Sequence, residues 1–596
     1  MPTRDASRRA SRLPVPAGAS TLNALLVIAV MVLGGCDKGD LPQGGIPQGS
    51  ADPPVAKEGI WLVDVTASSG LSFMHEAGAH GGLHVPEVMG GGVALFDADG
   101  DGDLDAFAVN GGPDPVKPGA PRGTAVNRLF ANDGHGKFTD VTTGSGLEGS
   151  DYGMGVAIAD IDGDGDEDVF LTAVGKDRLY RNDGKGHFQD TTDAAGIAVN
   201  GWSASAVFFD ADVDGVPDLF VTRYLDYNPT RQCFDRADRR DYCGPNSHPP
   251  LPDAFFRGLG DGRFEDRSEP AGIRSVQAAG LGVVAEDVDD DGWLDLFVAN
   301  DAYPSHLWMN RHDGTFTEDA LLRGVAYNVR GEAEAGMGIV AADLDGNGTV
   351  DFFVTHLDGE TNTLFRNLGG AAGFEDASAH SGLGPPSRPF TGFGTVALDL
   401  GMDGDLDVLV ANGRVRGGFE ETGKAADDWT RLAEVNLLHV NAGDGTFVRD
   451  ETHAPDFTQP REVSRGLATG DIDGDGDLDV LLGNIGGPAR LYRNDSPRAG
   501  HWLRVDARLR KGGPRALGAR VRVAAAQRQE TATVTAAGSY LSSSDPRPTL
   551  TVASSATPAD TLVDVRWPGT TSWERFPITC LDCETVLVRG AGSATP

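Results

Sequence analysis

A nine-residue acidic string, D-x-D-x-D-G-x-x-D, recurs seven times along the chain, and no feature constrains the fold more. It reads DADGDGDLD (Asp97, Asp99, Asp101, Asp105), DIDGDGDED (Asp160, Asp162, Asp164, Asp168) and DADVDGVPD (Asp210, Asp212, Asp214, Asp218). It returns as DVDDDGWLD (Asp287, Asp289, Asp291, Asp295), DLDGNGTVD (Asp343, Asp345, Asn347, Asp351), DLGMDGDLD (Asp399, Asp403, Asp407) and DIDGDGDLD (Asp471, Asp473, Asp475, Asp479). Asn347 replaces the fifth-position Asp of the fifth copy, and Gly401 the third-position Asp of the sixth.

Such spacing suits a hard divalent cation. Calcium takes about 6–8 oxygen ligands, and side chains at positions 1, 3 and 5 converge when the chain turns tightly around an ion. Every copy has Gly at position 6, where the backbone needs a conformation that a side chain opposes. Position 7 offers a carbonyl, and the Asp at position 9 closes the site. An EF-hand would require Glu at position 12 and helical flanks; the first copy has Ala108 there and strand-like flanks. The cofactor expected is Ca2+, up to seven ions.

Short apolar strands bracket each acidic string: GVALFD precedes the first and LDAFAVN follows it, with the same arrangement at the other six. A third strand (RLFAND, RLYRND, HLWMN, TLFRN) and a fourth beginning F-x-D (Phe138, Phe188, Phe264, Phe374) complete most units, which recur every 50–77 residues. Four strands per unit at this period describes the blades of a β-propeller. The seventh unit has RLYRND but no fourth strand after it. A matching segment, WLVDVTASSGL at Trp61–Leu71, stands before the first unit instead. Closing the ring with that strand leaves no open sheet edge. The expected fold is all-β: a seven-bladed propeller over residues 61–496 and a small β-sandwich-like domain over 497–592.

These units resemble the FG-GAP or VCBS repeats of integrin-α-type propellers. The stretch HVPEVMGGGVALFDADGDGDLD, the insertion YLDYNPTRQCFDRADRRDYCGP and YNVRGEAEAGMGIVAADLDGNG are similar to the cartilage acidic protein family and its bacterial relatives. That resemblance implies calcium in the seven loops. After Asp495 the segments HWLRV, GSYLSSSDPRP and VDVRWPG resemble an ASPIC/UnbV domain, through His501, Trp502, Gly518, Ala519, Gly538, Tyr540, Ser542, Asp545, Pro546, Trp567, Pro568 and Gly569. Where relatives carry Phe-Gly-Leu-Gly, this chain has LTVASSA.

Arg4, Arg8, Arg9 and Arg12, the apolar run Ala24–Leu33 and Leu33-Gly34-Gly35-Cys36 form an export signal over residues 1–35. The apolar run is too short to span a bilayer core of about 30 Å. LGGC resembles a bacterial lipobox, which implies cleavage before Cys36 and lipidation of its thiol. Residues 36–60, rich in Gly, Pro and polar side chains, form a tether. The expected location is the cell envelope, periplasm-facing or at the outer surface. The four remaining cysteines fall into local pairs, Cys233 with Cys243 and Cys580 with Cys583, which in an exported chain suggests disulfides. A redox pair or half a zinc site is the alternative at Cys580 and Cys583.

Asp and Glu number 88 against 50 Lys and Arg, a formal charge of −38, so a phosphate backbone is not the expected partner. Residues 497–596 are the exception, with 13 Lys and Arg against 8 Asp and Glu. That basic module either docks on the acidic propeller, faces anionic lipid or glycan, or is simply a solvated surface. His75, His80, His84, Glu76 and Glu87 form a second metal candidate, weighed against a Gly-rich insertion with scattered polar residues. No G-x-S-x-G or H-E-x-x-H occurs, and the serines at 542–544 lack an identifiable base, so no catalytic residue is assigned. The insertion Tyr224–Asp253 carries Arg231, Arg236, Arg239, Arg240, Phe234 and Tyr242, a composition suited to an acidic glycan or a protein partner; the alternative is a lid that covers the propeller's central channel. Three readings of function stand: a lipid-anchored, calcium-binding module for binding or adhesion to an unknown protein or glycan; a scaffold or maturation factor for another exported protein; and a carbohydrate-active or hydrolytic enzyme built from blade insertions.

Overall fold

The structure is a computed structural model, and it describes residues 59–116, 125–149, 151–417, 429–523 and 531–595. The export signal, Cys36 and nearly all of the tether lie outside the described residues. Among those described, no helix is long and apolar enough to cross a membrane.

Seven four-stranded antiparallel units follow one another around a ring. Blade 1 runs Val93–Phe96, Asp105–Ala108, Arg128–Asn132 and Phe138–Asp140. The innermost strands of blades 2 to 7 are Tyr152–Ala159, Asn200–Phe209, Gly280–Glu286, Ile339–Ala342, Gly392–Leu398 and Ser464–Gly470. Each packs against the next, and that of blade 7 packs against that of blade 1. Leu62–Asp64 supplies the outer strand of blade 7, pairing Leu62 with Asn494 and Asp64 with Tyr492. The ring is therefore closed by strands from both ends of the propeller sequence.

Alternation along the strands buries both faces between neighbouring blades. Phe96, Phe107, Leu129 and Phe188 pack together between blades 1 and 2, and Phe297, Phe352, Phe365 and Phe374 between blades 4 and 5. A polar stitch accompanies this packing. The third strand of six blades ends in Asn, whose side-chain amide donates to a carbonyl in the acidic loop of the preceding blade. Asn182 reaches Ala98 O (2.9 Å), Asn310 reaches Ala211 O (2.9 Å), and Asn132 reaches Ile472 O (2.8 Å) across the ring closure. Asn367, Asn441 and Asn494 do the same with Val288, Leu344 and Leu400. Blade 3 ends its third strand in Gly258 and lacks the stitch; there Asn200–Trp202 pairs directly with Val174–Lys176 of blade 2. Asn310→Ala leaves buried carbonyls unpartnered, at about 1–3 kcal/mol each. We expect its urea midpoint to fall by a corresponding amount, measured against a substitution at the exposed Leu322.

The C-terminal residues form two sheets. In one, Gly500–Arg508 lies between Thr549–Ala553 and the parallel strand Cys583–Val588. The other contains Thr531–Thr533, Arg520–Val523, Leu562–Arg566, Glu574–Pro577 and Ser593–Ala594. Leu503, Val505, Val521, Val565, Trp567 and Phe576 make a shared core. Cys580 and Cys583 are joined, with Cα atoms 6.1 Å apart.

This domain reaches into the propeller. Residues 539–545 run along the central channel and bond to its innermost strands. Ser539 exchanges backbone bonds with Ile339 (2.7 and 3.0 Å), Leu541 accepts from Val156 N (3.0 Å), and Ser543 accepts from Leu95 N (3.1 Å). Ser542 Oγ accepts from Val93 N (3.2 Å) and Ser544 Oγ from Thr469 N (3.0 Å). Tyr540 is fully buried; its hydroxyl donates to Met89 O (2.8 Å) and its ring stands edge-on to Phe393, centroids 4.9 Å apart. The guanidinium of Arg465 lies 3.8 Å from the Phe393 centroid on buried carbonyls of Val88, Gly413 and Ser464. Glycine admits this insertion: a Cβ at Gly92 would strike Leu541 O, and one at Gly466 would strike Ser542 Oγ. The serine run, which in sequence raised the question of a nucleophile, caps strand edges inside a filled channel.

Candidate metal centres

Each acidic string turns between the first and second strands of its blade, so all seven loops emerge on one face of the ring. The first Asp folds the loop on itself. Asp97 accepts from Gly100 N (2.8 Å) and Gly102 N (3.1 Å), and Asp471 from Gly474 N (2.8 Å) and Gly476 N (2.9 Å). The fifth-position side chain accepts from position 7, as Asp101 does from Asp103 N (3.0 Å). Position 4 is also left-handed: four loops place Gly100, Gly163, Gly346 or Gly474 there, whereas Val213, Asp290 and Met402 adopt φ of 59°, 62° and 47°.

The ninth-position Asp does more than close a site. Asp105 accepts from Ala98 N (2.9 Å) and from Asn132 N on the third strand (2.8 Å). Asp168, Asp218, Asp351 and Asp479 repeat both bonds within their blades. This carboxylate staples loop to sheet. Burial pushes Asp105 up to about 7 and Asp168, Asp218 and Asp351 up to about 8.

At position 3 the carboxylates are half-satisfied: Asp162, Asp212 and Asp289 pair one oxygen with Arg181, Arg257 and Arg323. Asp99, Asp162, Asp212, Asp289 and Asp473 each hold Oδ1 buried without a hydrogen-bond donor. For Asp99, Asp162, Asp212 and Asp289 the ligand oxygens converge with those of their neighbours: three carboxylates place one oxygen each within 4.8 Å of the others, as at Asp97, Asp99 and Asp105, or Asp287, Asp289 and Asp291, and the loop of Asp343, Asp345 and Asp351 does the same. A buried carboxylate oxygen without a donor is costly unless a cation meets it, so the residues fit a hard divalent ion. Burial, with Asp475 and Asp471 nearby, lifts Asp473 to about 6. The two divergent loops differ as their sequences imply. Asn347 turns its amide nitrogen to Asn367 O (3.1 Å), and Gly401 presents no side-chain ligand.

The basic C-terminal domain docks on this face. Arg566 bridges Asp287 (2.8 Å) and Asp290 (2.8 Å), Arg520 joins it on Asp290 (2.7 Å), and Arg504 meets Asp471 (2.5 Å). Arg498 pairs with Asp475 (2.6 Å), Arg515 with Glu167, and Thr551 Oγ1 donates to Asp399 (2.6 Å). The loops are thus unequal. A Cβ at Gly292 would meet Thr570, and one at Gly476 would meet the Trp502 indole, whereas at Gly102, Gly165, Gly348 and Gly404 it would meet nothing within 4 Å.

The histidines near the first blade have polar partners of their own. His80 bonds Pro113 O (2.8 Å) and His84 Nδ1 bonds the Tyr227 hydroxyl (2.7 Å), while Glu87, pushed up to about 7 by burial, accepts from Tyr242 (2.9 Å). The insertion Tyr224–Asp253 leaves blade 3 after its second strand, on the face away from the acidic loops. It contains a two-residue hairpin, Cys233–Phe234 with Arg240–Asp241, and a disulfide between Cys233 and Cys243.

Two protein families match the chain. The family described as FG-GAP-like repeat matches residues 97–171, 160–221, 287–354 and 343–410, and ASPIC and UnbV matches residues 510–578. Cartilage acidic protein 1 from Mus musculus is 26% identical over 253 residues, covering 42% of this chain and 36% of that protein. The Homo sapiens protein is 28% identical over 243 residues, covering 38% and 34%. The match thus spans about a third of each relative's length. Among solved structures, PorZ of Porphyromonas gingivalis aligns over 82% of this chain and 58% of its own at 11% identity, TM-score 0.39. YCF48 bound to D1 peptide aligns over 73% of this chain and 98% of its own at 8% identity, TM-score 0.38. The chain is a β-propeller of FG-GAP-like repeats completed by a C-terminal ASPIC and UnbV domain, similar to cartilage acidic protein 1.

Proposed function

We propose that this protein is an exported binding module, stiffened by calcium on one face and presenting its insertions to a partner on the other. The observation that carries the calcium reading is the set of buried, donor-less Oδ1 atoms at Asp99, Asp162, Asp212, Asp289 and Asp473. Calcium bound there would give these Oδ1 atoms the partner that no donor provides. The chain's own residues do the rest: the first Asp curls each loop, the ninth holds it to the sheet, and the third aims at the ion. Metal analysis of the purified protein by mass spectrometry tests this; fewer than one calcium per chain at millimolar calcium refutes it. The sixth loop, without a third-position carboxylate, is expected to fill last.

The binding reading draws support from the disposition of the two faces. The C-terminal domain covers part of the acidic face, and residues 539–545 fill the channel, which leaves the insertion face for partners. Attachment through a lipid on Cys36 would hold the module at a membrane, with residues 37–60 as its leash. We expect Cys36→Ser to move the protein from the detergent-soluble membrane fraction into the soluble envelope fraction or the medium. Equal partitioning of the two proteins would refute the anchor.

A further inference from the structure

The insertion stands over a cavity of about 780 Å³ at the mouth of the channel. Sites for small ligands commonly enclose roughly 300–1,000 Å³. Its walls combine Phe234, which is 54% exposed, with Asn246, Asp301, Glu360 and Arg416. The charge of this region differs from what the insertion's arginines suggest in sequence. Arg239 is engaged with Asp235 (2.7 Å) and Arg240 donates to Gly82 O (2.8 Å). Arg236 and Arg416 in the wall face at least as many carboxylates.

Those carboxylates are not a cation trap either. Asp301 accepts a 2.5 Å bond from the Tyr224 hydroxyl, and burial raises its carboxyl to about 6. Glu360 accepts from Ala335 N (2.9 Å) and is raised by burial to about 7. What remains is a set of directional donors and acceptors of mixed sign beside an open aromatic ring. The frame is rigid: Tyr224 stands edge-on to the buried Trp202 at 4.8 Å, and the Cys233–Cys243 disulfide ties the hairpin. A preorganised polar wall loses little entropy on binding.

We infer that this cavity binds a neutral sugar, its ring's C–H face laid on Phe234 and its hydroxyls shared among Asp301, Glu360, Asn246 and Arg416. The inference rests on the binding-module reading and names its ligand. An acidic glycan is disfavoured because Asp235, Asp241, Asp301 and Glu360 outnumber Arg236 and Arg416 in the wall. The test is saturation-transfer NMR on the full mature chain with a panel of neutral oligosaccharides (maltotriose, cellotriose, mannotriose, N,N′-diacetylchitobiose), and with trigalacturonate as the acidic comparison. Transfer to at least one neutral sugar is expected. Phe234→Ala should weaken that binding about tenfold or more by titration calorimetry, with an unchanged Tm and calcium content. Asp301→Asn, which keeps an acceptor for Tyr224, should weaken it less. No transfer to any neutral sugar, a preference for trigalacturonate, or undiminished binding by Phe234→Ala each overturns the inference. Absence of calcium binding by the unaltered protein, with sugar binding present, would refute the metal reading alone.

Discussion

Excess chelator should lower the melting temperature of this protein by on the order of ten degrees, and the metal should leave in two kinetic classes. A site held at a hundred times its Kd contributes about 2.7 kcal/mol to stability, and five loops show the full pattern of a donor-less third-position carboxylate. Without a cation, carboxylates that converge within 4.8 Å repel one another in a partly buried setting. Magnesium should rescue poorly, because it demands a tighter octahedral shell. The two classes follow from the docked domain. Asp471 is fully shielded at its side chain and Asp287 is 4% exposed, beneath Arg504 and Arg566 respectively. The glycines at 102 and 165 face open space. Stopped-flow release of terbium into chelator should show fast loss from the loop at Asp97 and slow loss from those at Asp287 and Asp471. Arg504→Ala with Arg566→Ala should speed only the slow phase. A melting curve indifferent to chelator would refute metal stabilisation; a single release phase would refute the occluded class.

Removing the C-terminal domain should cost the propeller its own order. The segment 539–545 satisfies backbone donors of Val93, Leu95, Val156 and Ile339 that would otherwise line a narrow channel. It also places Tyr540, fully buried, against Phe393. Truncating a buried aromatic side chain to Ala costs about 3–5 kcal/mol, and here the lost hydroxyl would also leave Met89 O without its donor. Tyr540→Ala should therefore lower the chemical unfolding midpoint markedly, and Tyr540→Phe, which keeps the ring against Phe393, should lower it much less. A chain ending at residue 496 should be cut rapidly by protease within the innermost strands. A truncated chain that is monodisperse, protease-resistant and unchanged in Tm would show that the segment is dispensable.

Periodicity made most of the fold legible. The acidic strings mark where first strands meet second strands, and the F-x-D segments mark outer strands; a displaced copy at Trp61–Leu71 pointed to the ring closure. The Asn of the R-N-D strings was visible too, but a local pattern does not say which carbonyl an amide will reach. Its partners lie a blade away, as Asn310 and Ala211 do. The ninth Asp was read as a ligand because its spacing fits, while its second oxygen bonds a strand beyond the motif. The pairing of Arg504 with Asp471 and Arg566 with Asp287 left no trace in sequence beyond a change in charge, since ion pairs between distant segments have no period. Serine was the least transparent residue: a hydroxyl that caps a strand edge and one that attacks a carbonyl read alike until their surroundings are known.

A ring sealed at Leu62 and plugged by residues 539–545 makes length itself a condition of folding. The strand pair Leu62 and Asn494 joins positions 432 residues apart in the chain. Contacts so distant in sequence form late, because loop closure must be met before they stabilise anything. During vectorial synthesis or export, the first six blades emerge before their channel has a filling or their ring an end. Each would wait as a half-satisfied stack of sheets. A chain cut short before Tyr540 is expected to stay open to proteolysis, because neither the channel filling nor its bonds to the innermost strands would exist.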